Sequence, residues 1–597
     1  MERVADYIIQ RLVEEDIRHT FLVTGRGILY LSDAVARNMS MKGISTYHEQ
    51  GASYAAMAYA LAKDAMGACL VSTGCAAANA VTAALCAWQD NIPCIFISGQ
   101  HMLEETTYYS GAMIRTYGSQ EADIISIVKP ITKYAVMLTN PDEIAAEMDK
   151  AFYFAKEGRK GPVWIDVPLD IQNMRINPEI LSRYGRKDGG LTLAAADSEV
   201  FRVKSELEAA KRPVLLAGGG VRSANAQQEI KAFAEKYCIP VVFSSKAADT
   251  YGSANCLSIG AVGSLGGSRA GNFAVQNADY ILVLGSKLCS QMIGAEPDKF
   301  GRDAKIVVVD IDKHEHKKRG AKIDRVIIDD VKNFMSHLNH FDLCISCGDW
   351  VKKCLHWKDI FAVRTESFLN DKSEGQKIDL YYFADIMSQK LPENATVITD
   401  AGLEELIIPS AVQFKAEQRC LFPAAQGAMG YAIPAVVGAH YAGRENLVVI
   451  VGDGSVMMNL QEMQTISWHE IPVKIFVINN NMYAVIRKRQ KDLFRNRTIG
   501  NDPSDGLGTP DFKKIAESFG ILYRIMDGME NVQNVLDEVF KMRESCICEV
   551  MCKEQQNYLH SSYRINEARR LVRPPIEDLA PFLERDVFLS EMVIDPV

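Results

Sequence analysis

From Phe21 onward the chain repeats one unit: a short run of β-branched and apolar residues ending at Gly, Ser or Asp, then an Ala-rich helical stretch. Alternation of this kind builds parallel sheets, because a strand that returns in the same direction needs a covering helix as its crossover. The unit recurs in three blocks. A chain of 597 residues is also too long for one hydrophobic core. Together these predict an α/β fold of three doubly wound parallel-sheet domains plus a C-terminal tail.

The first block, residues 1–175, has strand patterns over 20–24, 68–73, 94–98 and 163–167, and a helical pattern over 51–63. A polar stretch at 187–190 separates it from the second block, residues 190–340, with strands over 214–217, 241–244, 280–284 and 306–310. A connector rich in Cys and Trp, residues 341–375, leads into the third block, residues 376–560. Its strands fall over 396–399, 447–451, 474–478 and 546–551. Residues 561–597 carry Arg569, Arg570 and Arg573 ahead of Pro574-Pro575, and read as a docking arm rather than a domain.

The formal net charge of -9 is modest for this length and spread along the chain, so nothing recruits nucleic acid or an anionic membrane. Small-molecule partners are favoured. No apolar window reaches membrane-spanning length, and charged residues precede any apolar run at the N-terminus, so the cytoplasm is the expected compartment. The fourteen cysteines are scattered. Cys69, Cys94, Cys546 and Cys548 sit in apolar runs, where a reduced thiol behaves as a small hydrophobe. Cys344 and Cys347 form a C-x-x-C with Cys354 downstream, but no second pair follows at zinc-site spacing.

The chemistry concentrates in the third block. Its strand over 447–451 runs into Gly452-Asp453-Gly454-Ser455, and a helical pattern follows. In open α/β sheets ligands bind at the carboxyl ends of strands, where free backbone N–H groups meet phosphate oxygens. The next strand ends in Asn479-Asn480-Asn481. The carboxylate of Asp453, the amide oxygen of Asn480 and the carbonyl of Met482 are hard oxygen ligands suited to Mg²⁺ or Ca²⁺ shared with substrate phosphates. Either cluster alone reads as a polar turn; two at the ends of successive buried strands point to a site.

Gly452-Asp453-Gly454 followed by Asn479-Asn480 resembles the diphosphate motif of thiamine-diphosphate enzymes. The resemblance implies a glutamate in the first block that hydrogen-bonds the cofactor's aminopyrimidine ring, and Tyr47-His48-Glu49-Gln50-Gly51 supplies Glu49. On its own Glu49 reads as a favourable first-turn charge. In the family's chemistry this carboxyl sets the pyrimidine tautomer, so that the cofactor removes its own C2 proton and then serves as electron sink. Ala425-Gln426-Gly427-Ala428-Met429-Gly430 is similar to the pyrimidine-gripping segment of acetolactate synthase catalytic subunits. It implies that the carbonyl of Gly427 orients the exocyclic nitrogen and that Met429 props the bent cofactor.

Similarity to that group runs through nearly the whole chain, and implies pyrimidine-binding, central and diphosphate-binding domains in that order. It also implies a homodimer or dimer of dimers, with each site built between subunits. FAD binding in the central domain is known in the group, but Ser286-Lys287-Leu288-Cys289 replaces its arginine-rich contact, so FAD is not predicted. Leu403-Glu404 stands where the group places Gln-His near the diphosphate, and Gly74-Cys75-Ala76 replaces a Gly-Pro-Gly.

The resemblance places Arg26, in Thr24-Gly25-Arg26-Gly27, where the group usually has a small residue beside the reacting carbon, and aligns Arg489 with its tryptophan that helps select the second substrate; two such arginines would suit an acidic or phosphorylated substrate. His101 and Gln120 are further substrate candidates. The expected activity is decarboxylation of a 2-oxo acid donor and transfer of the acyl-anion unit to a second carbonyl compound. The segments around Gly430-Tyr431, 486–494 and 573–578 resemble a branch often linked to surface-sugar biosynthesis. A simple decarboxylase releasing an aldehyde, and a catalytically silent cofactor-binding partner, are the alternatives.

Overall fold

The computed structural model describes residues 1–185, 194–366, 369, 374–565 and 569–597; the polar stretch expected at 187–190 lies outside them. Three six-stranded sheets form its body. In the first, β1 (His19–Leu22), β2 (Lys42–Ser45), β3 (Gly67–Val71), β4 (Cys94–Gln100), β5 (Tyr134–Met137) and β6 (Val163–Pro168) lie in the order β2-β1-β3-β4-β6-β5. The second holds β7 (Pro213–Ala217), β8 (Val241–Phe243), β9 (Ser258–Ala261), β10 (Tyr280–Leu284), β11 (Lys305–Asp310) and β12 (Arg325–Ile328), ordered β9-β8-β7-β10-β11-β12. The third holds β13 (Thr396–Thr399), β14 (Arg419–Leu421), β15 (Leu447–Gly452), β16 (Val473–Asn479), β17 (Leu522–Met526) and β18 (Cys546–Met551), ordered β14-β13-β15-β16-β18-β17. All neighbouring pairs are parallel. The outer two sheets therefore share one topology, while the central sheet has the order of a dinucleotide-type fold.

In each sheet the four interior strands are those the sequence patterns pick out. The strands those patterns miss are all at sheet edges: β2 and β5, β9 and β12, β14 and β17. Interior parallel strands are buried on both faces and read as continuous apolar runs. An edge strand has one neighbour: β2 buries only Ile44 and β17 only Met526. β9 and β14 are better buried but short, and Ser258, Gly260 and Arg419 interrupt their apolar character.

The helix Glu49–Lys63 is buried on nearly every side rather than on one stripe. It is caught between the first sheet and the third domain's helix Ala432–Tyr441, and residues of both domains enter one continuous core. Small side chains are what permit this. A Cβ on Gly438 would lie 2.0 Å from the carbonyl oxygen of Ala55, and one on Gly67 2.0 Å from that of Ala56.

The tail is strapped to the central domain. Asn272 donates to the carbonyl of Ile576 at 2.8 Å. Arg269 pairs with Glu366 at 2.7 Å and donates to the carbonyl of Leu579 at 3.1 Å. Phe588, on the helix Arg585–Glu591, packs against Phe273. Among the described residues no helix is long and apolar enough to cross a membrane. The cysteines are unpaired, with Cys69, Cys94, Cys546 and Cys548 buried. Cys344 is exposed while Cys347 and Cys354 are buried, and among the described residues the three are not grouped to hold a metal.

Candidate active site

β15 and β16 are hydrogen-bonded neighbours from Leu447↔Val473 to Gly452↔Ile478, so their polar ends emerge side by side. Asp453 is buried there, and one carboxylate oxygen accepts the N–H of Asn481 at 2.7 Å. The amide oxygen of Asn480 accepts the N–H of Met482 at 3.2 Å, in a tight turn where Asn481 adopts φ 59°. The structure thus brings Asp453, Asn480 and Met482 together. Burial outweighs the backbone N–H groups around Asp453 and pushes its carboxyl up to about 6. Among the described residues no group of three or more His, Cys, Asp or Glu side chains is placed to hold a metal, so a cation here would rest on one carboxylate plus amide and carbonyl oxygens. That donor set fits a hard cation that keeps further oxygen ligands from a diphosphate.

The raised value sets a pH dependence. A cation needs the ionised carboxylate, so below pH 6 it must displace a proton, and affinity for Mg²⁺ with thiamine diphosphate is expected to fall about tenfold per pH unit. Tryptophan-fluorescence titration between pH 5 and 8 checks this; a flat profile would contradict it. Without a cation the sign for stability is the opposite: stability is fully present below pH 3.8 and is lost as pH rises through about 6, because the charged form is the one that burial disfavours.

Ser455 closes the turn. Its hydroxyl donates to Asp400 at 2.7 Å and accepts the N–H of Gly430 at 3.0 Å, while Asp400 also accepts the N–H of Ala432 at 3.1 Å. Asp400 therefore ties the Gly452-Asp453-Gly454-Ser455 turn to the segment that ends at Gly430. Burial pushes its carboxyl up to about 7. Sequence patterns did not single it out, although it shares Asp453's signature of an apolar strand running into an aspartate. In that segment Gly427 has φ 54°, and a Cβ there would lie 2.7 Å from the Glu405 carboxylate. Met429 is half-buried and outside the apolar core, unlike a packing methionine.

Leu403-Glu404 brings an acid to the same side. The carboxylate of Glu404 is buried, and its nearer oxygen is 3.3 Å from where a Cβ on Gly452 would lie. Burial, reinforced by Asp400 and Asp453, holds its carboxyl well above the usual range and favours the neutral acid.

Glu49 opens the helix Glu49–Lys63, where His48 caps the helix by accepting the N–H of Gln50 at 3.1 Å. Its partly exposed carboxylate accepts from Asn79 at 2.9 Å. Among the described residues no hydrogen bond joins Glu49 to Gly427, Met429, Asp453 or Asn480 within one chain. Three loops gather at the carboxyl edge of the first sheet. The N–H of Gly27 donates to Ser72 at 3.1 Å, beside exposed Arg26. A Cβ on Gly74 would lie 2.2 Å from the carbonyl oxygen of Gln120, whose φ is 70°. The ring of His101 abuts Gly118, with Nδ1 2.5 Å from Glu105. Arg489 lies apart on the third domain, exposed on the helix Ala484–Leu493 that begins two residues after Met482. Among the described residues neither Arg26 nor Arg489 has an ion-pair partner, whereas Arg487 is held by Asp502.

In the central domain, a cavity of about 420 Å³ is lined by Gly219, Gly220, Gly285, Asp310 and, from the first domain, Arg159. The glycine run serves close packing, since a Cβ on Gly218 would lie 2.2 Å from the carbonyl oxygen of Gly285.

Comparison with known proteins covers the same three units. Residues 2–127 match the N-terminal TPP binding domain of thiamine pyrophosphate enzymes, residues 201–338 the central domain, and residues 400–550 the C-terminal TPP binding domain. The acetolactate synthase large subunit of Cyanidium caldarium is 32% identical over 540 residues, 86% of this chain and 87% of the relative. The acetolactate synthase isozyme 1 large subunit of Escherichia coli (strain K12) is 30% identical over 537 residues, 90% and 91% of the two chains. The acetolactate synthase large subunit of Lactococcus lactis subsp. lactis (strain IL1403) is 29% identical over 559 residues, 92% and 93%. With its three domains and its full-length likeness to these relatives, the chain belongs to the thiamine pyrophosphate enzyme family and is acetolactate synthase-like.

Proposed function

We propose that this enzyme uses Mg²⁺ and thiamine diphosphate to decarboxylate a 2-oxo acid and transfer the acyl-anion unit to a second carbonyl compound. The observation that carries the reading is the buried carboxylate of Asp453 at the end of one strand, bonded to the N–H of Asn481 in the Asn480–Met482 turn at the end of the next. Asp453, Asn480 and the carbonyl of Met482 would hold the metal, and Gly452, Gly454 and Ser455 the diphosphate turn. Gly427 and Met429 would seat the pyrimidine, and Glu49 would hydrogen-bond its ring nitrogen. When bound, the cofactor supplies the nucleophilic carbon and the electron sink for loss of CO₂.

The carboxylate of Glu49 belongs on a subunit interface in this reading. Among the described residues this carboxylate bonds to Asn79 of its own domain and makes no hydrogen bond to the third domain of its own chain, in keeping with a homodimer or dimer of dimers. The guanidinium groups of Arg26 and Arg489, without an ion-pair partner among the described residues, favour an acidic or phosphorylated substrate, in a specialised or surface-sugar pathway, with His101 and Gln120 beside it. Product analysis with pyruvate and a panel of acidic or phosphorylated 2-oxo acids, with and without acceptor aldehydes and ketones, tests it. A coupled product that appears only with acceptor is expected; an aldehyde product unchanged by every acceptor would make the enzyme a simple decarboxylase.

A further inference from the structure

The residues that follow the Gly452-Asp453-Gly454-Ser455 turn reach across to the start of the Glu49 helix. Glu462, fully buried at the head of the helix Glu462–Trp468, accepts the backbone N–H groups of Tyr47 and His48, each at 3.1 Å through the same oxygen. Its other oxygen accepts the hydroxyl of Thr465 at 2.7 Å. Gly51 is what admits this carboxylate, since a Cβ there would lie 2.5 Å from its oxygen. Asn459, also fully buried, uses one amide nitrogen for two bonds: to the side-chain oxygen of Gln50 at 2.9 Å and to the carbonyl of Gly430 at 2.8 Å. The residues on both sides of Glu49 are thus gripped by two buried side chains of the third domain. Asn459 carries the grip on to the pyrimidine-gripping segment.

A buried carboxylate is costly unless its acceptors are used. Glu462 spends its acceptors on two backbone N–H groups immediately before Glu49, while the first turn of any helix could leave such groups to water. Two N–H groups held by one oxygen fix the direction in which the chain enters the helix, and so the direction in which the side chain of Glu49 leaves it.

We propose that Glu462 and Asn459 are positioning residues for Glu49, setting its carboxylate where it meets the cofactor's pyrimidine. The inference rests on the assignment of Glu49 above. It predicts that Glu462 governs proton handling at the cofactor without governing cofactor binding, because it bonds to none of the residues proposed to hold the diphosphate, the metal or the pyrimidine.

The test is the rate at which the C2 proton of bound thiamine diphosphate exchanges with deuterium, without substrate, alongside the cofactor's dissociation constant. Glu462→Ala is expected to slow exchange roughly ten- to a hundredfold, the cost of a small misplacement at a reacting group, with the dissociation constant unchanged. Glu462→Gln keeps an oxygen for both N–H groups and is expected to restore exchange. Gly51→Ala keeps a good helix former in a helical position while displacing the Glu462 carboxylate, so it serves where Glu462→Ala does not fold, with the same slowed exchange. Exchange at the unmodified rate in the folded Ala variant, or in Gly51→Ala where that variant does not fold, would overturn the proposal. So would a Gln variant as slow as the Ala variant. Glu49→Gln is measured beside them: unmodified exchange there would overturn the assignment of Glu49 itself.

Discussion

Glu49→Gln is expected to lower turnover by roughly a hundredfold to ten-thousandfold, the range a positioned proton-handling group contributes, while leaving metal-dependent cofactor binding in place. The change is nearly isosteric, so Asn79 still finds an acceptor and the helix Glu49–Lys63 keeps its cap from His48. What is lost is the carboxyl proton that would be shared with the pyrimidine ring nitrogen. Steady-state turnover with the best 2-oxo acid, paired with a cofactor titration, separates the two effects. Unchanged turnover would remove Glu49 from the chemistry; lost binding would make it a binding residue.

Asp453→Ala is expected to act on the opposite quantity. It removes the one carboxylate among the proposed metal ligands, and the affinity for thiamine diphosphate with Mg²⁺ should fall by at least about a hundredfold, the upper end of what losing even an outer-shell partner costs a metal site. Because burial already pushes this carboxyl up to about 6, the apo protein should not lose stability by the substitution at neutral pH and above. Thermal unfolding with and without cofactor and Mg²⁺ reads both effects: the unmodified protein should gain a large upward shift on addition, and the variant almost none. An equal shift in both would place the cation elsewhere.

The parts of this molecule that can be read in its sequence are those where burial on both faces forces a continuous apolar run. β15 and β16 are of that kind, and a polar cluster at the end of such a strand stands out, which is why Asp453 and Asn480 are legible without coordinates. The edge strands are not, because β2 and β17 leave most of their side chains to solvent and read as loop. The supporting residues are hidden for another reason. Glu462 looks like an ordinary acidic first-turn residue, and its partners are backbone groups 415 and 414 positions away, which carry no side-chain signature. Asn459 and Asp400 likewise bond to backbone of a segment brought close only by the fold. Arg26 and Arg489 are legible as departures from a resemblance. The structure adds that both are exposed and unpaired among the described residues, so their charge is available to a ligand.

The helix Glu49–Lys63 shows how packing overrides a simple pattern. Its alanines suggest a helix with one covered stripe, yet it is enclosed, because Gly438 lets the helix Ala432–Tyr441 approach its backbone directly. First and third domains are thereby fused through one core, and the start of that helix is held by residues that follow the diphosphate turn. Glu49 opens that helix, and Asp453 lies in the turn directly after β15.

The most direct test of the account is release of CO₂ from a 2-oxo acid panel by the cofactor-free protein, with thiamine diphosphate and Mg²⁺ added singly and together. The account predicts release only when both are present, and its loss in Glu49→Gln and in Asp453→Ala. Release without thiamine diphosphate, or release undiminished in both variants, would contradict it.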